Sequence, residues 1–172
     1  MGHHPPLRFK LGLPAEIAHR AKGGDESSRP FLMYNTGMIN LSPEQLVDSV
    51  ALGNQATVIA LQGDLGAGKT TFAQEVGKIL GVRENMHSPT FVIMKVYEVD
   101  FKGFKNLIHI DAYRIEKEGE LLHLGWNEII KEPENLVLIE WPENVPGLIP
   151  KNAIKILFKH VDENTREIMY ES

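Results

Sequence analysis

Apolar residues fall along this chain in short blocks separated by turn-forming residues, and the spacing inside each block names its element. Leu46, Val47, Val50 and Ala51 form a stripe at helical spacing. Ser42-Pro43-Glu44-Gln45 ahead of them supplies a cap residue, a proline at the first helical position and a capping-box glutamine, so a helix is predicted over 43–53. Thr57 to Leu61 is β-branched and apolar, as a buried parallel strand over 56–62 should be. The run from Thr71 to Leu80 reads as the body of a helix over 69–80, with Gly81 as its C-cap. Residues 90–99 are β-rich and 106–111 form another strand. The turn signal at Asp100 to Lys105 between them pairs the two as a hairpin. Helical segments are predicted at 116–123 and 125–131, and 135–140 is a short, buried strand ending in an acid. Ile154, Ile156 and Phe158 alternate with polar residues, so strands over 153–160 and 165–171, around the turn at Asp162 to Asn164, close the chain as an antiparallel hairpin.

This order of elements is α/β, with a central sheet of mixed character. In such sheets ligands collect at the carboxyl ends of the parallel strands. Three strands end in chemistry there: the segment from Gly63 onward, Asp111 and Glu140. Gly63-Asp64-Leu65-Gly66-Ala67-Gly68-Lys69-Thr70 is a complete G-x-x-x-x-G-K-[ST] phosphate-binding loop between a strand and a helix, the context that confirms a P-loop. Its glycines let the backbone turn tightly and aim several N–H groups at one anion. The helix N-terminus adds partial positive charge at the same spot. Lys69 would reach the β- and γ-phosphates of a bound nucleotide, and the Thr70 hydroxyl would ligate Mg²⁺.

Composition narrows the remainder. At 172 residues the chain is long enough for one domain with a real core, and 42% hydrophobic and 24% charged residues are ordinary for a globular protein. No apolar run approaches the roughly 20 residues that span a bilayer, no apolar signal segment is visible, and cysteine is absent. A cytoplasmic protein is expected, with no disulfide, thiolate catalysis or Cys-zinc site. Residues 1–37 hold Pro5-Pro6, Gly23-Gly24 and Ser27-Ser28 without sustained periodicity, and read as a flexible extension, a tag remnant or a targeting segment. Residues 38–172 are expected to form the folded domain. The net charge of −5 divides unevenly, the chain beyond residue 37 holding 13 basic and 20 acidic residues. An acidic body argues against nucleic acid gripped by this chain alone.

Asp111 ends the strand Leu-Ile-His-Ile, the layout of a Walker-B aspartate that holds Mg²⁺ directly or through water; a strand-terminal Asp can also simply cap the next turn. Glu140, before Trp141-Pro142, could orient an attacking water or complete the metal shell, or be a solvated strand end. Thr90 in Ser88-Pro89-Thr90-Phe91 could see the γ-phosphate and the metal together, as in a switch loop, or be a cap. His109 lies two residues before Asp111 on the same face, where a packed core histidine is the competing reading. Trp141 could stack on a ring or fill the core, and Arg114 could meet a phosphate, a partner or a surface acid.

The set Gly-Asp-Leu-Gly-Ala-Gly-Lys-Thr-Thr-Phe, Ser-Pro-Thr-Phe, His-Ile-Asp-Ala-Tyr-Arg and Leu-Ile-Glu-Trp-Pro-Glu, in this order between about residues 40 and 170, resembles the TsaE (YjeE) family. These are small bacterial ATPases required for threonylcarbamoyladenosine modification of tRNA. The resemblance implies a P-loop nucleotide-binding fold: a central mixed sheet with parallel core strands and antiparallel edge strands, and helices on both faces. It implies ATP or ADP and Mg²⁺ as ligands, with the nucleotide on Gly63 to Thr71 and Trp141. It also implies catalytic roles for Lys69, Thr90, Asp111 and Glu140, and metal contacts from Thr70, Asp111 and Glu140. The expected partners are TsaD, which attaches the threonylcarbamoyl group, and TsaB; tRNA is reached only through that complex, and no membrane is involved. Hydrolysis would reset the complex between turnovers, and slowly without partners, since no arginine finger is evident.

The main competing function is a P-loop kinase of small molecules. Such enzymes usually carry an arginine-rich lid, and residues 112–135 hold only Arg114. A GTP-binding switch would need an Asn-Lys-x-Asp run, which is absent. A binding module with an inactive P-loop is the remaining class.

Overall fold

In the computed structural model of the chain, residues 42–160 and 166–171 are described here. The extension predicted over 1–37 and the turn at 162–164 lie outside the described residues. The elements are α1 (Pro43–Ser49), β1 (Thr57–Gly63), α2 (Lys69–Ile79), β2 (Met94–Phe101), β3 (Phe104–Asp111), α3 (Glu118–His123), α4 (Trp126–Ile129), β4 (Asn135–Glu140), β5 (Ile154–His160) and β6 (Arg166–Glu171). Two one-turn 3-10 helices, Pro142–Asn144 and Pro146–Leu148, follow β4, each opened by a proline whose fixed φ suits a helix start. The sequence reading did not foresee them.

The strands form one sheet in the order β2-β3-β4-β1-β5-β6. The inner four run parallel, and the two hairpin partners, β2 and β6, are antiparallel edges. β1 carries the phosphate loop and lies between β4 and β5, with β3 one strand further out. The register sets Leu61 of β1 beside Glu140 and Glu140 beside Asp111. The two acids predicted at strand tips are therefore neighbours at the carboxyl edge, next to the loop.

Alternation along the strands builds two cores. Leu107 of β3, Leu136 and Leu138 of β4 and Ile59 and Leu61 of β1 face α1 and α2, where Leu46, Phe72, Ala73 and Val76 cover them. Ile108, Ile110, Val137, Ile139, Val58 and Ala60 face the opposite side, under Leu121, Trp126 and Val145. His109, Asp111 and Glu140 continue the first alternation, so their buried side chains lie on the α2 side of the sheet, at and just past the end of the apolar layer.

Two predicted boundaries fail for local reasons. The first helix has the predicted capping box, with Gln45 N–H donating to Ser42 Oγ and Ser42 N–H to Gln45 Oε1. It stops at Ser49 rather than 53, because Ser49 Oγ donates to the Leu46 carbonyl, Val50 turns extended, and Thr57 Oγ1 takes the Ala51 carbonyl. The strand predicted from residue 90 begins at Met94. Pro89 O accepts from both Val92 N–H and Ile93 N–H, which folds 90–93 into a turn and leaves Phe91 84% exposed. Ile93 has φ 65°, rare for a β-branched residue, and it redirects the chain into β2 while its carbonyl accepts from Asp111 N–H.

Candidate nucleotide site

The phosphate loop leaves the sheet at Gly63, whose φ is 146° and whose missing Cβ would stand 2.4 Å from the Phe158 carbonyl oxygen. Only glycine fits so close to the neighbouring backbone. The loop then wraps to the N-terminus of α2, with Gly68 in the left-handed region immediately before Lys69. The Lys69 ammonium donates to the carbonyls of Gly63 and Asp64, the latter at 2.8 Å, and lies 3.9 Å from the centre of the Trp141 ring. Burial lowers the Lys69 pKa from its usual value, opposed by the negative charges of Glu140, Glu143, Asp111 and Asp64.

Thr70, one residue into α2, donates its hydroxyl to Glu140 Oε2 at 2.9 Å. The other carboxylate oxygen, Oε1, meets His109 Nε2 at 2.7 Å. Both His109 and Glu140 are buried, so the glutamate is not the solvated strand end that the sequence also allowed. Asp111 accepts from the hydroxyls of Ser88 and Thr90 on Oδ2 and from Tyr113 N–H on Oδ1. Thr90 N–H donates to Ser88 Oγ, the local capping contact that the sequence allowed, and the Thr90 hydroxyl is turned to the strand tip at Asp111. Gln74 of α2 donates to the Met86 carbonyl and ties the preceding stretch to the helix.

A cavity of about 350 Å³ gathers these groups: residues 65–71 of the loop and helix start, Ser88, Thr90, Asp111, Tyr113, Glu140 and Trp141. Of the residues expected at the nucleotide, Gly63 and Asp64 do not line it; their carbonyls hold Lys69 from behind. Tyr113 and Ser88 line it without having been assigned a role. Tyr113 could have been found from its offset of two from Asp111, the spacing at which an Asp side chain accepts a backbone N–H. Trp141 is in the left-handed region at φ 59°, its N–H donates to the Leu61 carbonyl, and its ring stands 5.0 Å from that of Tyr113. It both packs on the second core and faces the cavity. Arg114 stacks over the Phe91 ring at 4.5 Å rather than pairing with a described acid.

Thr70, Asp111 and Glu140, which line the cavity, offer hard oxygens of the kind Mg²⁺ takes. Among the described residues no group of three or more His, Cys, Asp or Glu is placed to hold a metal. No helix of the described residues is long and apolar enough to cross a membrane.

The comparisons agree with one another. The family model described as "Threonylcarbamoyl adenosine biosynthesis protein TsaE" matches residues 42–168. The chain is 35% identical to the tRNA threonylcarbamoyladenosine biosynthesis protein TsaE of Bacillus subtilis, over 71% of this chain and 73% of that one. It is 36% identical to the protein of the same name from Nostoc, over 83% and 85% of the two chains. A crystal structure of Bacillus subtilis YdiB superposes with a TM-score of 0.56 at 29% identity, covering 76% of this chain and 80% of the other.

Proposed function

This chain belongs to the TsaE family, and we propose that it serves there as a Mg²⁺-dependent ATPase that supports threonylcarbamoyladenosine modification of tRNA, coupled to a TsaD–TsaB complex and not itself the transferase. One observation carries the reading: Lys69, Thr70, Thr90, Asp111 and Glu140, drawn from four separate segments, line a single cavity at the mouth of the phosphate loop. The amides of residues 65–71 and the α2 N-terminus would cradle the phosphates, and Trp141 with Tyr113 would flank the nucleotide. Lys69 would exchange its two carbonyl acceptors for β- and γ-phosphate oxygens. Thr70, Asp111 and Glu140 would hold Mg²⁺, which when bound neutralises charge on the β- and γ-phosphates.

Around that cation the chain's own groups divide the work. Glu140, fixed between Thr70 and His109, orients the attacking water. Thr90 and Ser88 tether the 88–93 loop to Asp111, giving a segment that can respond to the γ-phosphate. Arg114, engaged with Phe91, supplies no charge to the cavity floor, which accords with slow intrinsic turnover. Leu65, Phe91, Val92 and Tyr113 are exposed on the loops at the mouth and offer the TsaD–TsaB pair an apolar surface beside the nucleotide. A partner that completes the charge there would accelerate hydrolysis; arginine fingers in other systems supply about 10³–10⁵ in rate.

The test is ATP hydrolysis by the full chain, alone and with TsaD–TsaB, next to the Lys69→Ala variant. Slow turnover that rises with the partners and vanishes in the variant is expected. Equal turnover in wild type and variant would overturn the reading. ATP and GTP binding separate by Trp141 fluorescence, since Trp126 is fully buried with its indole N–H on the Leu148 carbonyl and should stay constant.

A further inference from the structure

The geometry points to His109 as a positioning residue: its Nε2–H holds the Glu140 carboxylate so that Oε2 faces Thr70 and the phosphate cavity. The inference rests on the ATPase reading above and extends it to a residue that does not line the cavity.

His109 is fully buried on β3, two residues before its last residue, Asp111. Its register partner is Leu138, while Glu140 lies beside Asp111, so the imidazole reaches diagonally one step along the neighbouring strand. A carboxylate acceptor at 2.7 Å places the ring hydrogen on Nε2. Nδ1 has no hydrogen-bond partner among the described residues. The ring therefore makes a single hydrogen bond, and that bond is to Glu140. Leu107 and Leu138 fill the same layer as apolar side chains. A residue there for packing alone would be apolar too, because an imidazole brings a desolvation cost that leucine does not.

Glu140 has a definite need for such a partner. Its backbone is locked, in register with Leu61 on one side and Asp111 on the other, with its carbonyl accepting from Ala112 N–H. The side-chain torsions remain. Thr70 restrains one oxygen from the cavity side, and His109 restrains the other from the core side. Without the second bond only Thr70 restrains the carboxylate, and it can rotate about Cγ–Cδ and swing away from the cavity.

The experiment compares His109→Leu, His109→Asn and His109→Gln in the full chain, with kcat and KM for ATP measured separately. A glutamine amide N–H falls near the position of Nε2, and an asparagine N–H near that of Nδ1. Leu and Asn are expected to lower kcat by about 10–100-fold, the range seen when a hydrogen-bond partner of a metal ligand is removed, with KM for ATP unchanged. Gln is expected to restore most of the lost kcat. If the Leu variant is poorly folded, the comparison of Asn with Gln decides, since both place an amide in the same cavity. Wild-type kcat in the Asn variant, or a Gln variant as slow as Leu or Asn, overturns the inference. A wild-type chain without ATPase activity, alone or with partners, overturns the ATPase reading and this inference with it. Normal wild-type turnover that survives all three substitutions overturns this inference alone.

Discussion

The Thr70 hydroxyl and Glu140 Oε2 stand 2.9 Å apart, although seventy positions separate the two residues along the chain. The contact joins the first turn of the P-loop helix to the tip of the neighbouring strand. It places Glu140 at the cavity beside the P-loop instead of leaving it a bystander at the sheet edge. Glu140→Gln keeps the shape and an acceptor for Thr70 but removes the charge. Its kcat is expected to fall by about 10²–10⁴, the usual weight of a positioned acid–base group, with ATP affinity retained. Single-turnover hydrolysis beside equilibrium binding reads both quantities. Thr70→Ala is expected instead to remove the Mg²⁺ dependence of binding.

Asp111 governs the loop before β2. Its Oδ2 accepts from Ser88 and Thr90, and an asparagine amide nitrogen placed there could not. Asp111→Asn is therefore expected to speed hydrogen exchange of residues 88–93 as well as to slow hydrolysis. In the wild type, ATP with Mg²⁺ should protect the same residues further. Exchange indifferent to both the substitution and the nucleotide would mean that the loop is held by its own turn and Asp111 does not control it.

Gly63 tests the loop independently of chemistry. A Cβ there would meet the Phe158 carbonyl at 2.4 Å and the Phe158 Cβ at 2.9 Å, and φ is 146°. Neither contact can give way without moving β5. Gly63→Ala is expected to cost about 1–3 kcal/mol of stability in nucleotide-free protein, measurable as a lower urea midpoint at constant m-value.

The Lys69 amine gives the site a pH dependence. Burial lowers its pKa in the free protein, and phosphate oxygens beside it would raise that pKa in the complex. Between the two values the complex binds one more proton than the free protein, so ATP affinity is expected to fall as pH rises through the depressed value. The sign is opposite for folding: the unfolded chain keeps the proton up to about pH 10.4, so this group's contribution to stability rises with pH between the folded and unfolded values. Calorimetry across the alkaline range should show proton uptake on binding in the wild type and none in Lys69→Ala.

The linear chain carried much of this. Gly63 to Thr70, bounded by Thr57–Leu61 and the run from Thr71, declared strand, loop and helix, because a phosphate cradle is local and its glycines answer to local backbone geometry. Asp111 and Glu140 were legible as acids ending apolar runs, and alternation alone assigns each to the face of its own strand. Which strands lie side by side is a matter of packing, and only the order β2-β3-β4-β1-β5-β6 sets both acids beside the loop. Where Glu140 points was likewise undecided, since His109 and Thr70 come from different elements and meet it only after the sheet has closed. The turn at 90–93 reads as strand in the sequence because Phe91, Val92 and Ile93 have high β-propensity, whereas in the fold the Pro89 carbonyl and the Asp111 carboxylate hold that segment as a turn. Local chemistry is written in consecutive residues, whereas the partners of a buried carboxylate depend on three-dimensional neighbours that no spacing along the chain encodes.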